Sequence, residues 1–238
     1  MERLQKVIAN AGYCSRRKAE NLIVNKKVMV NGNMITELGY KVSPNDIITI
    51  EGKTLLQEKK EYVLLYKPRG IVTTTKDEHN RRTVLDLIET ETRLYPVGRL
   101  DYDTSGLLLL TNDGELANLL MHPKTEIDKV YVAKVKGLVN KQEILKLRSG
   151  INIGEFRTSR SGARIISYDK KTDTSIVELI IHEGKNHQVK KMLAAIGHDV
   201  IKLKREKVSF LTLKGLKSGE YRYLSVKEVK KLYNETKK

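Results

Sequence analysis

The chain has 238 residues, 39% hydrophobic and 31% charged, and so is a globular composition with room for one large domain or a small one beside a medium one. Its single cysteine, Cys14, excludes an intramolecular disulfide and a cysteine-built zinc site. The basic excess lies at the ends: residues 1–60 hold 11 Lys/Arg against 6 Asp/Glu, 61–184 hold 19 against 18, and 185–238 hold 15 against 5, a pattern suited to gripping a polyanion.

From the amino end, Leu4, Val7, Ile8 and Ala11 fall at helical spacing, with Gly12 as the cap. Ser15 is an N-cap for a second helix from Arg16 to about Val24, whose inner face is Ala19, Leu22 and Ile23. Two short strands flank the Asn31-Gly32 hairpin turn, and residues 47–50 are a third strand. Arg16, Arg17 and Lys18 stand at the start of the second helix, where the helix dipole and cationic side chains together favour phosphate. A solvated basic face is the competing reading.

This segment resembles the alpha-L RNA-binding fold, shared by a small-subunit ribosomal protein and several RNA-modifying enzymes. Ser15-Arg16-Arg17-Lys18-Ala19 and then Val28-Met29-Val30-Asn31-Gly32 carry the likeness. It implies a small domain over 1–51 whose RNA-binding residues are Ser15, Arg16, Arg17 and Lys18, the three cations facing the RNA backbone.

Residues 52–61 are polar and poor in β-formers, and read as an interdomain linker that lets the small domain move. Residues 62–66 form a strand broken by Lys67-Pro68-Arg69-Gly70. A polar loop over 76–82 holds the adjacent Arg81 and Arg82, and 84–88 is a short helix. In Val97 to Gly114, four consecutive leucines, 107 to 110, mark a buried strand. Gly98 and Gly106 flank an acidic segment, and Asn112-Asp113-Gly114 supplies turn chemistry. Asp101 and Asp103 therefore lie on a short loop pinned to a rigid strand, although a loop of solvated aspartates has the same signature.

Residues 115–121 are a helix stopped by His122-Pro123, and 129–135 alternate as a half-buried strand. A helix over 141–147 has Gly150 beyond it, and strands at 163–168 and 175–181 surround an Asp-Lys-Lys-Thr-Asp turn. In the basic stretch from His182, Val189, Met192, Leu193 and Ile196 repeat helically and Gly197 ends the helix. Residues 200–203 and 208–213 are further strands, and Ser225 with Glu228 forms the capping box of a last helix. The fold class is α+β: a small domain at 1–51, then a larger, mostly antiparallel mixed-sheet domain at 62–238.

The five histidines include no pair spaced for a metal on one helix, and His182 and His187 straddle a glycine. The P-loop, the dinucleotide fingerprint and the hydrolase elbow are missing. Met1-Glu2-Arg3-Leu4-Gln5-Lys6 is not the start of a secretory signal, no apolar run reaches membrane length, and a reducing cytoplasm is expected. A carboxylate is the remaining chemistry. Asp101 and Asp103 have the spacing for an acid–base pair, but a chain without Trp lacks the usual sugar platforms of a glycosidase. A single nucleophilic or basic aspartate beside a cation fits better. Lys190 is the candidate cation, unless it belongs to a solvated run with Lys185 and Lys191.

Residues 98–114 also resemble the catalytic signature of the pseudouridine synthases, in their RsuA-like branch. Gly98-Arg99-Leu100-Asp101, Thr104, Gly106 with the leucines, and Thr111-Asn112-Asp113-Gly114 carry it. Lys129-Val130-Tyr131-Val132 is similar to that family's second motif, and the run from Glu183 to Met192 to its third. The likeness spans nearly the whole chain. It implies isomerisation of uridine to pseudouridine in RNA with no cofactor and no metal. Asp101 is implied as the aspartate that drives glycosidic cleavage, and Tyr131 as the ring stacked on the target base. Lys190 would pair with Asp101, Arg99 would hold the nucleotide out of its helix, and Leu203 would line the pocket. Asp103 is given no catalytic part.

Most large-subunit-specific (RluB-like) members have an arginine-rich third motif, where this chain has Lys185, His187, Lys190 and Lys191. A lysine supplies the charge without bidentate geometry. The runs at 101–105, 121–124 and 201–205 look RluB-like, so the implied substrate is large-subunit (23S) ribosomal RNA, free or in a precursor particle. The alternatives are an RsuA-like enzyme of small-subunit (16S) RNA and a non-catalytic RNA-binding assembly factor. Only an enzyme requires Asp101, Tyr131 and a cation at 190 together. A monomer without membrane attachment is expected.

Overall fold

The structure, a computed structural model, describes residues 1–237. It divides into two units. One takes in Met1–Glu61 with Thr90–Leu94 and Thr111–Gly114, the other Tyr62–Glu89, Tyr95–Leu110 and the chain from Glu115 on.

The first unit runs β1 (Glu2–Arg3), α1 (Leu4–Asn10), α2 (Arg16–Val24), β2 (Val28–Val30), β3 (Asn33–Met34), β4 (Lys41–Val42), β5 (Ile48–Ile50) and β6 (Lys53–Thr54). Ala11 rather than Gly12 caps α1, and the glycine follows with φ +88°. The Ser15 hydroxyl accepts from the Lys18 N–H at 3.2 Å and starts α2 where its sequence position requires. Asn31 and Gly32, at φ +50° and +81°, make the tight turn between β2 and β3. The helices and the sheet β3-β2-β5-β6 close one core of Leu4, Ile8, Ala19, Ile23, Val28 and Ile50. Cys14 belongs to that core, and burial pushes its thiol up.

Residues 52–61, expected as a linker, are partly structured. β6 pairs with β5, the Leu55 N–H donates to Ile48 O at 2.8 Å, and Leu55 packs on the core. Further on, Asn112 Oδ1 accepts from the Glu61 N–H at 2.8 Å, and its amide donates to Lys59 O at 2.9 Å. A two-residue strand leaves no periodicity in a sequence, so its polar side chains concealed it.

The second unit continues with β7 (Tyr62–Lys67), β8 (Tyr95–Val97), β9 (Thr104–Thr111), α3 (Gly114–Met121), β10 (Lys129–Lys136), α4 (Lys141–Ser149), β11 (Gly162–Asp169), β12 (Thr174–Ile181), α5 (Gln188–Ala194), β13 (Val200–Val208), β14 (Leu211–Thr212), β15 (Tyr221–Tyr223) and α6 (Val226–Glu235). Among the described residues it holds a nine-stranded sheet, β11-β12-β10-β13-β9-β7-β15, with β14 added on β13 and β8 on β9. β10 is antiparallel to β12 and β13, while β13 runs parallel to β9. The leucines of β9 are buried on both faces, as a continuous apolar run requires. Leu107 and Leu109 pack with Leu116, Leu120, Leu211 and Leu232. α6 opens with both arms of the expected capping box.

Two expectations need correction. The helix at 84–88 is a single 3-10 turn, Leu85–Leu87, tied by Asp86 to the Thr83 N–H at 2.6 Å. The strands expected at 200–203 and 208–213 are instead one nine-residue strand, β13, and the short return β14. The charged run at 204–207 concealed the join. Lys204 and Glu206 pair with each other at 2.9 Å, while Arg205, 5% exposed, turns inward.

Candidate active site

The acidic loop between β8 and β9 is fastened by the segment that ends β7. Lys67 is fully buried, and its Nζ donates to the carbonyls of Pro68 at 3.0 Å, Asp101 at 3.1 Å and Thr104 at 2.9 Å. The Gly70 N–H donates to Tyr102 O at 2.7 Å, and Arg69 Nε to Asp103 O at 2.9 Å. Three successive carbonyls, 101 to 103, are therefore held by Lys67, Gly70 and Arg69. Burial pushes the Lys67 ammonium down to about 8, against the opposing pull of Asp101 and Asp103.

The cation comes from α5. Val189, Met192 and Leu193 are buried, which leaves Lys190 on another face of the helix. Its Nζ is 3.1 Å from Asp101 Oδ2 and 2.6 Å from Asp103 Oδ1. Burial alone would lower the Lys190 ammonium, but its bonds to Asp103 and Asp101 outweigh that and raise it. The Asp103 carboxyl is correspondingly held low by its bond to Lys190. His187, in the left-handed region at φ +53°, sets Nε2 3.5 Å from Asp101 Oδ1. The loop before α5 is held by the buried Gln188, whose amide donates to Glu183 at 2.7 Å and accepts from the Lys185 N–H at 3.0 Å.

Beside the carboxylate lies a cavity of about 520 Å³, lined by Arg99, Asp101, Tyr131, Lys190 and Leu203, the five positions expected there. Tyr131 and Leu203 are 8% and 5% exposed, and Arg99 is exposed at the surface. Behind Tyr131, Arg205 Nη1 donates to its hydroxyl at 3.4 Å, and Arg205 Nε donates to Leu107 O at 2.8 Å. Gly106 makes that approach possible: a Cβ there would lie 2.3 Å from Arg205 O, and its φ is +125°. Lys129 also lines the cavity and donates from Nζ to His182 O at 2.7 Å and Ile127 O at 3.0 Å. Burial, with Arg205 adding to it, pushes that ammonium down to about 8.

Ser15, Arg16, Arg17 and Lys18 belong to the first unit and do not line this cavity. All four are exposed, and the Ser15 hydroxyl is occupied as the cap of α2. Four residues of the site were not singled out from the sequence. Lys67 read as the start of the run that breaks a strand, His187 and Lys129 as parts of longer motifs, and Arg205 as the end of the 201–205 run. Among the described residues, no group of three or more His, Cys, Asp or Glu side chains is placed to hold a metal ion, and no helix is long and apolar enough to cross a membrane.

Asp101, 3.1 Å from Lys190 and 3.5 Å from His187, therefore stands at the edge of a cavity that Tyr131 lines. A family model described as RNA pseudouridylate synthase matches residues 61–195, and one described as S4 domain matches 2–48. The chain belongs to the RNA pseudouridine synthases. Ribosomal large subunit pseudouridine synthase B of Bacillus subtilis (strain 168) is 57% identical over 233 residues, covering 98% of this chain and 96% of that protein. An uncharacterized RNA pseudouridine synthase of Aquifex aeolicus (strain VF5) is 40% identical over 234 residues, 97% of this chain and 93% of its own length. A pseudouridylate synthase crystal structure superposes with a TM-score of 0.69 at 31% identity, over 98% of this chain and 100% of that one. The pseudouridine synthase resemblance and the RNA-binding domain before it are both borne out.

Proposed function

We propose that this RNA pseudouridine synthase converts a uridine of large-subunit ribosomal RNA, with Asp101 as its catalytic carboxylate. The observation that carries the assignment is the clasp of Lys190 and His187 on Asp101 beside the Tyr131 slot. The relative named for the large ribosomal subunit supports the choice of RNA.

The target nucleotide leaves its stack to enter the slot, with Arg99 at the mouth holding it out. Tyr131 stacks on the uracil ring, its hydroxyl kept in place by Arg205, and Leu203 completes the apolar wall. Asp101 drives cleavage of the C1′–N1 bond. Lys190 holds that carboxylate in place by an ion pair at 3.1 Å, and the carbonyl contacts of Lys67 fix its height. The freed uracil turns, C5 bonds to C1′, the C5 proton leaves, and N1 takes one up. Substrate and product are isomers, so atoms and electrons balance without a cofactor, a metal or a second substrate. Arg16, Arg17 and Lys18 of the 1–51 domain grip the RNA backbone, while the 62–238 domain does the chemistry. Asp101, His187, Lys190 and Tyr131 come together within one chain, which supports a monomer as the working form.

Unmodified 23S and 16S transcripts carrying tritium at uridine C5 test this. The expected result is tritium release from the 23S transcript and none from the 16S transcript, lost in Asp101→Asn. Equal background release by wild type and Asp101→Asn overturns the enzymatic role, and release from 16S alone overturns the choice of RNA.

A further inference from the structure

Tyr102 lies between the two aspartates that Lys190 bridges, yet it is absent from the cavity lining and the residue is 54% exposed. Its backbone is not loose. Its own carbonyl and those on either side are the three taken by Lys67, Arg69 and Gly70. The phenol tip rests against that turn: a Cβ built on Gly70 would lie 3.8 Å from the hydroxyl. Two exposed arginines stand near this turn. Arg69 is anchored at Nε to Asp103 O at 2.9 Å, and the Arg81 guanidinium lies within electrostatic reach of Tyr102. Arg81 is itself fixed, bonding both oxygens of Asp77 at 2.7 and 3.2 Å, while the Asp77 carboxylate also takes the His79 and Arg81 N–H groups.

An aromatic ring displayed from an immobilised backbone loses little entropy when something flat covers it. Arginines at its border suit phosphates and the faces of bases. When a nucleotide is drawn out of a stack into the slot beside Asp101, the nucleotide next to it is left with an uncovered face. We infer that Tyr102, with Arg69 and Arg81 beside it, is a stacking platform for an unpaired base adjoining the target uridine, the arginines engaging that nucleotide's phosphates. This subsite rests on the proposed function and adds a residue outside the slot to RNA selection.

The probes are unmodified 23S transcript and a synthetic hairpin around the uridine that the wild-type enzyme converts, intact or abasic at each flanking position. Stacking of one base predicts a Kd about 5- to 100-fold weaker for Tyr102→Ala on the transcript, with the larger share of the kinetic loss in KM rather than kcat. Tyr102→Phe keeps the ring and binds within about twofold of wild type. On the hairpin lacking the stacked base, wild type and Tyr102→Ala bind alike. Arg81→Ala lowers the slope of log Kd against log salt by about one. The platform is overturned if Tyr102→Ala binds the transcript as tightly as wild type, if Tyr102→Phe loses as much as Tyr102→Ala, or if the alanine penalty persists on every abasic hairpin. Failure of the proposed function shows separately, as absence of pseudouridine in any transcript treated with wild type. The transcript affinities of the Ala and Phe variants judge the platform in that case too.

Discussion

Lys67→Met isolates what holds the loop that carries Asp101. The ammonium makes three bonds, to Pro68 O, Asp101 O and Thr104 O. Hydrogen bonds to a charged group contribute roughly 1.5–3 kcal/mol each, so the gross loss is about 5–9 kcal/mol. Against this, the native ammonium is pushed down from 10.5 to about 8, which at about 1.4 kcal/mol per pH unit means that carrying the buried charge costs roughly 3 kcal/mol. Methionine relieves that cost, leaving a net loss on the order of 2–5 kcal/mol. The effect on turnover is larger than stability alone suggests, because a displacement of about 1 Å at Asp101 costs on the order of 100-fold in rate. The sign of the pH dependence follows from the direction of the shift. Between about pH 8 and 10.5 the unfolded chain holds this proton and the native chain has released it, so the Lys67 contribution to stability rises with pH across that window. Lys67→Met removes that rise and leaves the one from Lys129, whose ammonium is also lowered to about 8. Urea melts from pH 7 to 10 and tritium release at pH 7 measure both effects. A variant that melts like wild type and turns over within about threefold of it refutes the role given to Lys67.

Lys190→Met leaves Asp101 and Asp103 facing each other without their shared cation, and a fall in kcat of about 10²–10³ is expected. Lys190→Arg restores the charge and part of the rate, and wild-type kcat in the methionine variant contradicts the assignment. Lys190 holds the Asp103 carboxyl low, so its stabilising contribution is complete above the ordinary carboxylate pKa and is lost as pH falls through the lowered value. Acid melts of Asp103→Asn lack that component, and superimposable acid limbs sink the pairing. Gly106→Ala drives a methyl to within 2.3 Å of Arg205 O at a left-handed φ, with an expected loss of about 3 kcal/mol, or on the order of 10 °C in Tm. An unchanged melt would show that β9 and β13 do not need that approach. If Arg16 and Arg17 contact phosphates as proposed, replacing both by alanine lowers the slope of log Kd against log salt by about 1–2. An unaltered slope places those cations off the RNA.

The elements legible in the sequence were those with enough residues to show a period or a cap. α2 starts and stops where Ser15 and its apolar spacing put it, β9 follows from its leucines, and α6 follows from Ser225 and Glu228. Short or mixed segments were not legible. β6 and β15 have two and three residues, and the charged half of β13 alternates around an arginine that local pattern treats as surface.

The same division runs through the active site. Local chemistry determined that Asp101 stands on a tight loop before a rigid strand, and the order of three motifs determined the family. Pairings between residues far apart in the chain were decided only by the tertiary structure. Lys190 reaches across 87 positions to Asp103, and Lys67 lies 34 and 37 positions from the carbonyls that it holds. A lysine has the same one-letter identity whether it is solvated or buried. Its charge acquires a function only when the fold removes water from it and sets carbonyls or carboxylates within about 3 Å. Asp103, given no catalytic part by motif alone, shares the Asp101 cation because the Lys190 helix packs beside the acidic loop.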